Sequence, residues 1–339
     1  MNNQATAPKV MKETKNKIRV DFERTDFWTR FKLKYLSFKF VKTVVWVVFR
    51  LVLLVGISYV ILSPVLSKIF SSFMGKEDFV DVTVKYIAKY PTLDTYKALI
   101  VEAKYFTAFF NTLLLSLACA IIQTFVCCVV AYGFAKFRFK FNNLLFFLVI
   151  FTMVVPQETL QLSLFMKFRY FDIFNIIKLF GGEQLNLLNS YWPLIILSLG
   201  GLGFKNGLYI YMLRQYFRGV PDELEESAYL DGSGVFRTFI QIIIPLSVPM
   251  LITVFLFSFS WQWTDMFYTD LFFPKSSFVT MPDLVMIPKS LDTVYAGQSM
   301  YEAAIYNTAS LLIIAPLIIM YLFCQRYLIA GIERSGIVG

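Results

Sequence analysis

The apolar runs of this chain are long enough to cross a bilayer, and that length restricts what it can fold into. A hydrocarbon layer of about 30 Å takes roughly 20 helical residues, and residues 106–134 contain no charged side chain. Such runs are apolar on every side and not along one stripe, so they suit lipid better than the rim of a globular core. Only 16% of residues are charged, against roughly 25% in soluble domains. The expected fold is an all-α polytopic membrane protein with six transmembrane helices, placed at 42–67, 106–134, 142–165, 191–213, 246–267 and 302–323.

Charge placement orients these spans. Eleven of the 32 Lys and Arg residues precede Thr43, and Lys136, Arg138 and Lys140 follow the second span with no acid among them. Basic residues mark the cytoplasmic side, so both termini are expected there. Between spans five and six, Asp265, Asp270, Asp283, Asp292 and Glu302 stand against Lys275 and Lys289, the bias of an outside loop. The basic leader suits anionic lipid heads, not nucleic acid, and is too long for a cleavable signal peptide. Residues 27–40 interleave aromatic and basic side chains as a juxtamembrane anchor, with an interfacial amphipathic helix as the alternative.

Little catalytic chemistry is on offer. Histidine is absent, which removes the commonest general base and metal ligand. Cys119, Cys127, Cys128 and Cys324 all fall in apolar runs and are expected to be buried small hydrophobes, with no metal site and no cofactor. No phosphate-binding GxxxxGK[ST] loop occurs, so any ATP and Mg would be handled by a partner ATPase.

One internal stretch cannot lie in lipid. Residues 221–245 carry Asp222, Glu223, Glu225, Glu226 and Asp231 against Arg237 alone. Pro221 suits a first helical position, and carboxylates favour the first turns of a helix. Asp231-Gly232 reads as its stop, and a second short helix at 235–243 is expected to lead to Pro245 and the fifth span. An acidic helical hairpin on a basic membrane side suggests a docking surface.

Glu226-Ser227-Ala228, then Gly232, then Ile242-Ile243-Ile244-Pro245 resembles the EAA loop of bacterial ABC importer permeases. The departures are Ser227 in place of Ala and Ile244 in place of Leu. Asn111-Thr112-Leu113, the run from Ala131 to Arg138, Leu213 to Phe217, and Gln325 to Ile332 resemble the same family, in its carbohydrate branch and near the maltose permease G subunit. The likeness runs from Phe106 to the C-terminus. The final Lys-Gly common in such tails is Val338-Gly339 here.

The resemblance implies a type I ABC importer permease fold in a bacterial plasma membrane, forming half of a translocation pathway. Its partners would be a second permease subunit, two cytoplasmic ABC ATPase subunits and an extracytoplasmic solute-binding protein. The expected layout is a basic segment 1–41, a first helix with external segment 42–105, a permease core 106–327 holding the coupling loop 214–245, and a tail 328–339. Glu226, Ser227, Ala228, Asp231, Gly232, Ile242 and Pro245 are the expected ATPase-coupling residues, while Glu223 and Glu225 are expected to face solvent. Polar groups at membrane depth are costly unless used, so Gln157, Glu158, Trp263, Thr264, Asp265 and Tyr268 are the candidates for a carbohydrate pathway. Trp263 and Tyr268 also suit an interfacial belt, Lys205 a snorkelling or pairing role, and Asn307 and Thr308 interhelical bonding. A peptide, polyamine or glycerophosphodiester cargo is the alternative within the family. An ion-coupled carrier and a non-transporting scaffold are the alternatives outside it.

Overall fold

The computed structural model describes residues 10–11, 19–20, 38–172, 176–179, 182–274, 278–292, 294–295 and 297–336. Most of the basic leader, the anchor up to residue 37, Lys275 and Val338-Gly339 lie outside the described residues. Contacts divide the chain into two units, Met1–Ser67 and Lys68–Gly339.

In the first unit, strands β1 (Val10–Met11) and β2 (Arg19–Val20) pair antiparallel, Val10 opposite Val20. Most of helix α1 (Phe38–Ser71) belongs here. Its section Lys42–Ser71 is apolar throughout and long enough to span a membrane.

The second unit is built on α3 (Tyr105–Lys136), preceded by the short helix α2 (Asp94–Glu102). One face of α3 buries Ala108, Thr112, Ser116, Cys119, Ala120, Gln123, Cys127 and Ala131, recurring every three or four residues. The opposite face exposes Phe106, Phe110, Leu114, Ile121 and Phe125. In lipid, where large apolar side chains gain little by packing together, small residues let helix backbones approach. Against this stripe lie α6 (Trp192–Leu199), α7 (Asn206–Arg218) and α9 (Val235–Trp263). Helix α4 (Asn142–Val154) packs on α7, and α11 (Gln298–Gly336) packs on α9.

Several expected boundaries are corrected. The third span is broken: α4 ends at Val154, and Gln157–Arg169, which contains α5 (Gln161–Arg169), leaves at 95°. Pro156 has no N–H and forces the residue before it into an extended conformation, and Val155 adopts ψ 120°. The fourth span is two helices, α6 and α7, separated by Gly200 to Lys205. The end of α6 is a Schellman turn, with Gly201 at φ +68° and bonds Leu202 N→Leu197 O of 2.9 Å and Gly201 N→Ser198 O of 3.3 Å. The fifth span begins at Val235 and not at Leu246, because Pro245 does not interrupt it. A π-helical turn at Phe239–Ile243, in which Ile244 N donates to Phe239 O, absorbs the register where the proline has no donor. Among the described residues, four helices are long and apolar enough to cross a membrane, or five if the bent pair is one span. Cys119, Cys127 and Cys128 are buried, whereas Cys324 is half-exposed. The Thr308 hydroxyl bonds Ala304 O in its own helix, 2.8 Å away, and does not bridge helices.

The approach of α7 to α4 depends on Gly207, where a Cβ would stand 2.7 Å from Met153 Cγ and 3.0 Å from Val149 O. Gly207→Val is therefore expected to cost about 1–3 kcal/mol by overpacking. Gly133→Ala, in open space, should be neutral. Thermal unfolding of the two variants in detergent checks this.

Candidate functional site

Two regions gather the candidate residues. The first is the acidic loop. Helix α8 (Glu223–Leu230) starts after Asp222, so Pro221 precedes its cap instead of opening its first turn. It ends in a second Schellman turn: Gly232 has φ +82°, Ser233 N donates to Ala228 O at 2.9 Å, and Gly232 N donates to Tyr229 O at 3.0 Å. Nothing approaches a Cβ built at Gly232, so its backbone angle, and not packing within this chain, calls for glycine.

The faces of α8 differ. Glu226, Ser227, Asp231 and Gly232 are exposed, and Ala228 is buried. Ile242 is half-buried in the π turn, and Pro245 is exposed. Leu230 and Phe236 stand 88% and 75% exposed beside the acids, so this surface is apolar as well as charged.

Glu223 faces solvent as expected, but Glu225 does not: it is 6% exposed. Tyr132 Oη donates to Glu225 Oε1 at 2.6 Å, and Lys136 Nζ lies 3.3 Å from Oε2. Lys136 also donates to Asp222 Oδ1 at 2.5 Å and Val220 O at 2.7 Å. The hydrogen bond and charge of Lys136 hold the exposed Asp222 carboxyl below its ordinary range. The Tyr132 ring packs on Phe239, centroids 4.6 Å apart, and edge-on against Phe217. Sequence gave Lys136 only a topological part, as a basic residue after the second span, and the Ala131–Arg138 likeness added no contact with the acidic loop.

The second region is a cavity of about 930 Å³ where three helix interruptions meet. The bend contributes Pro156, Gln157 and Glu158; the α6–α7 link contributes Phe204, Lys205 and Asn206; the end of α9 contributes Trp261, Thr264, Asp265 and Tyr268. Five of the six candidate pathway residues are thus brought together. The sixth, Trp263, is fully buried, and its indole Nε1 donates to Ile313 O at 3.0 Å. It stacks on Phe259 and is neither a cavity wall nor an interfacial belt residue.

The cavity residues are not equally free. Asp265 accepts from Tyr268 N, Thr269 N and Thr269 Oγ1 at 3.2–3.3 Å, holding the first turn of α10 (Phe267–Phe272). Lys205 Nζ sits 5.1 Å from the Phe204 ring and 5.2 Å from the Trp261 ring, a cation between two aromatic faces. Trp261 was the wall that sequence missed, two residues from the indole it favoured. Beneath the cavity, buried Gln123 donates to Ser198 Oγ at 3.1 Å and accepts from Ser258 Oγ at 2.6 Å, joining α3, α6 and α9.

Residues 123–334 match the model of the family described as binding-protein-dependent transport system inner membrane component, more than half of the 339 residues. This chain belongs to that family. It is a family of transport permeases and not of catalysts. The permease is similar to the maltodextrin transport system permease protein MalD of Streptococcus pneumoniae, 28% identical over 84% of this chain and 92% of that one. It is also similar to the galactooligosaccharides transport system permease protein GanQ of Bacillus subtilis, at 26% over 86% and 95%. A chain from the crystal structure of a bacterial ABC transporter involved in the import of the acidic polysaccharide alginate shares its fold, with TM-score 0.62, 18% identity, and coverage of 84% of this permease and 96% of that chain.

Because Trp263 is held by a bond to a buried carbonyl, Trp263→Phe is expected to lose about 1–3 kcal/mol of stability. It should leave the cavity walls in place. Denaturation in detergent, alongside a Trp261→Phe control whose cost is smaller, measures the difference.

Proposed function

We propose that this permease forms half of the transmembrane pathway of an ATP-driven importer for oligosaccharides delivered by an extracytoplasmic binding protein. The observation that carries this reading is the family match, whose span contains both the acidic loop and the cavity. The cargo follows from relatives named for maltodextrin, galactooligosaccharides and arabinooligosaccharides. Trp261 and Tyr268 beside Gln157, Glu158 and Thr264 offer what a sugar needs, aromatic faces for its C–H patches and polar groups for its hydroxyls.

In this reading there are six spans. The bent pair counts as one, and α6 with α7 counts as another, broken where Gly201 to Lys205 line the cavity. Open backbone at membrane depth is tolerated where it faces a cavity. Both termini and α8 then face the cytoplasm, as the basic residues around them require. The chain itself carries no nucleotide or metal cofactor, and ATP and Mg belong to two ATPase subunits. Glu226, with Leu230 and Phe236 around it, seats α8 in a cleft of one of them, and Gly232 sets the turn behind it. ATP-driven closure moves α8 and the spans attached to it, turning the cavity from one side to the other against a second, similar permease, with this chain in the place of the maltose permease G subunit.

Purification in mild detergent is expected to bring down a second permease and an ATPase, and vesicles holding the complex should import a labelled maltodextrin only with ATP and the binding protein. Uptake that persists without the ATPase and stops when the ion gradient is collapsed would replace this reading with a carrier. Glu226→Lys is expected to lower ATPase capture at least about tenfold, as reversing a charge at a desolvated interface does.

A further inference from the structure

Resting on the coupling role just proposed for α8, we propose that Lys136 is its positioning residue, fastening α8 to the end of α3 so that α8 moves the second span directly. The covalent links of α8 to the neighbouring spans are short and contain glycine. They run through Gly219 on one side and through Gly232 and Gly234 on the other, and nothing stands within 4 Å of a Cβ at either of the latter two. Backbone bonds fix the course of the turn at Gly232, but each link gives α8 a single covalent path to its neighbour.

The Lys136 cluster adds a second path, through side chains. Its side chain is 8% exposed, as is that of Glu225, while Asp222 lies at the surface. One ammonium thus reaches three acceptors, the Val220 carbonyl before α8, Asp222 at its start and Glu225 in its first turn. Two of its hydrogen bonds go to the Val220 carbonyl and Asp222, and its charge lies 3.3 Å from Glu225 Oε2. The Tyr132 hydroxyl, one turn earlier on α3, takes the other oxygen of Glu225. Two residues of α3 therefore grip α8 at two points, and a rigid body needs at least that to transmit rotation as well as translation. Helix α3 is also the element on which α6, α7 and α9 are packed, and its Gln123 reaches Ser198 and Ser258 beside the cavity. Through Lys136 a displacement of α8 reaches the cavity walls along a continuous helix instead of through a glycine link. Glu226, one residue on, stays free for the partner.

A purely structural role would predict that Lys136 matters only for folding. The test is the complete transporter in vesicles, scored as labelled maltodextrin imported per ATP hydrolysed and corrected for the amount of assembled complex. Lys136→Met combined with Glu225→Gln removes both charges, so no lone charge is left buried, and it is expected to lower that ratio at least about tenfold. Lys136→Arg, which keeps the cation, should retain most of the ratio. The exchanged pair Lys136→Glu with Glu225→Lys should recover part of it. A ratio unchanged in the neutral double variant, or lost equally in Lys136→Arg, overturns this role while leaving the importer standing. A wild-type complex without an ATPase overturns the importer reading, and this role with it.

Discussion

A backbone amide left unpaired in hydrocarbon costs several kcal/mol, and this permease is arranged around that constraint. Among the described residues, three of its helix breaks lie close together: at Val155-Pro156, at Gly200 to Lys205, and after Trp263. All three breaks line the same cavity. Where the chain must stop being helical, it also repays part of the loss locally. The Schellman bonds at Gly201 tie off two carbonyls of α6, Thr159 N and Oγ1 both return to Pro156 O, and Asp265 takes the amides that open α10. The cavity and the breaks are thus one feature seen from two sides.

The same economy explains the polar residues buried in α3. A glutamine in a transmembrane helix is expensive unless its amide is engaged, and Gln123 engages two serines on two other helices. Close approach is part of the arrangement: a Cβ at Gly203 would stand 2.7 Å from Gln123 Nε2. The helix thus has a small-residue face that lets neighbours near and one amide that fixes their register, with bulky apolar side chains turned away on the opposite face.

The long apolar runs were legible because membrane length and hydropathy are local properties of sequence, and each expected span begins or ends close to a helix where no glycine or proline intervenes. The fourth span failed because Gly200 to Gly207 and Lys205 weaken a helix without saying whether it bends or breaks, and tertiary partners such as Gln123 decide that. Continuity through Pro245 was hidden for the opposite reason, since a proline ordinarily marks an end and the π turn that accommodates it leaves no compositional trace. Five of the six pathway candidates, chosen for polar groups at membrane depth and for aromatic faces, line one cavity. Trp263 does not, and sequence could not show it, because the carbonyl that takes its indole N–H is 50 residues away. Glu225 was misread in the same way: its partners Tyr132 and Lys136 lie on α3, Tyr132 being 93 residues away, and no local pattern distinguishes it from Glu223.

The adjacent glutamates show how much depends on helical phase. Consecutive residues on a helix point about 100° apart, so Glu225 and Ala228 share the buried face while Glu226 and Leu230 share the one turned outward. Neither glutamate could do the other's work. Buried without Lys136, Glu226 would be an unpaired charge; exposed, Glu225 would release α8 from α3. The phase is held at both ends, by Lys136 on Asp222 before the first turn and by the positive φ of Gly232 after the last. A single residue inserted between Asp222 and Leu224 would put Leu224 in the inward slot and turn Glu225 outward, without removing any acid. What makes the loop specific is therefore its register against α3, and acidity alone would not supply it.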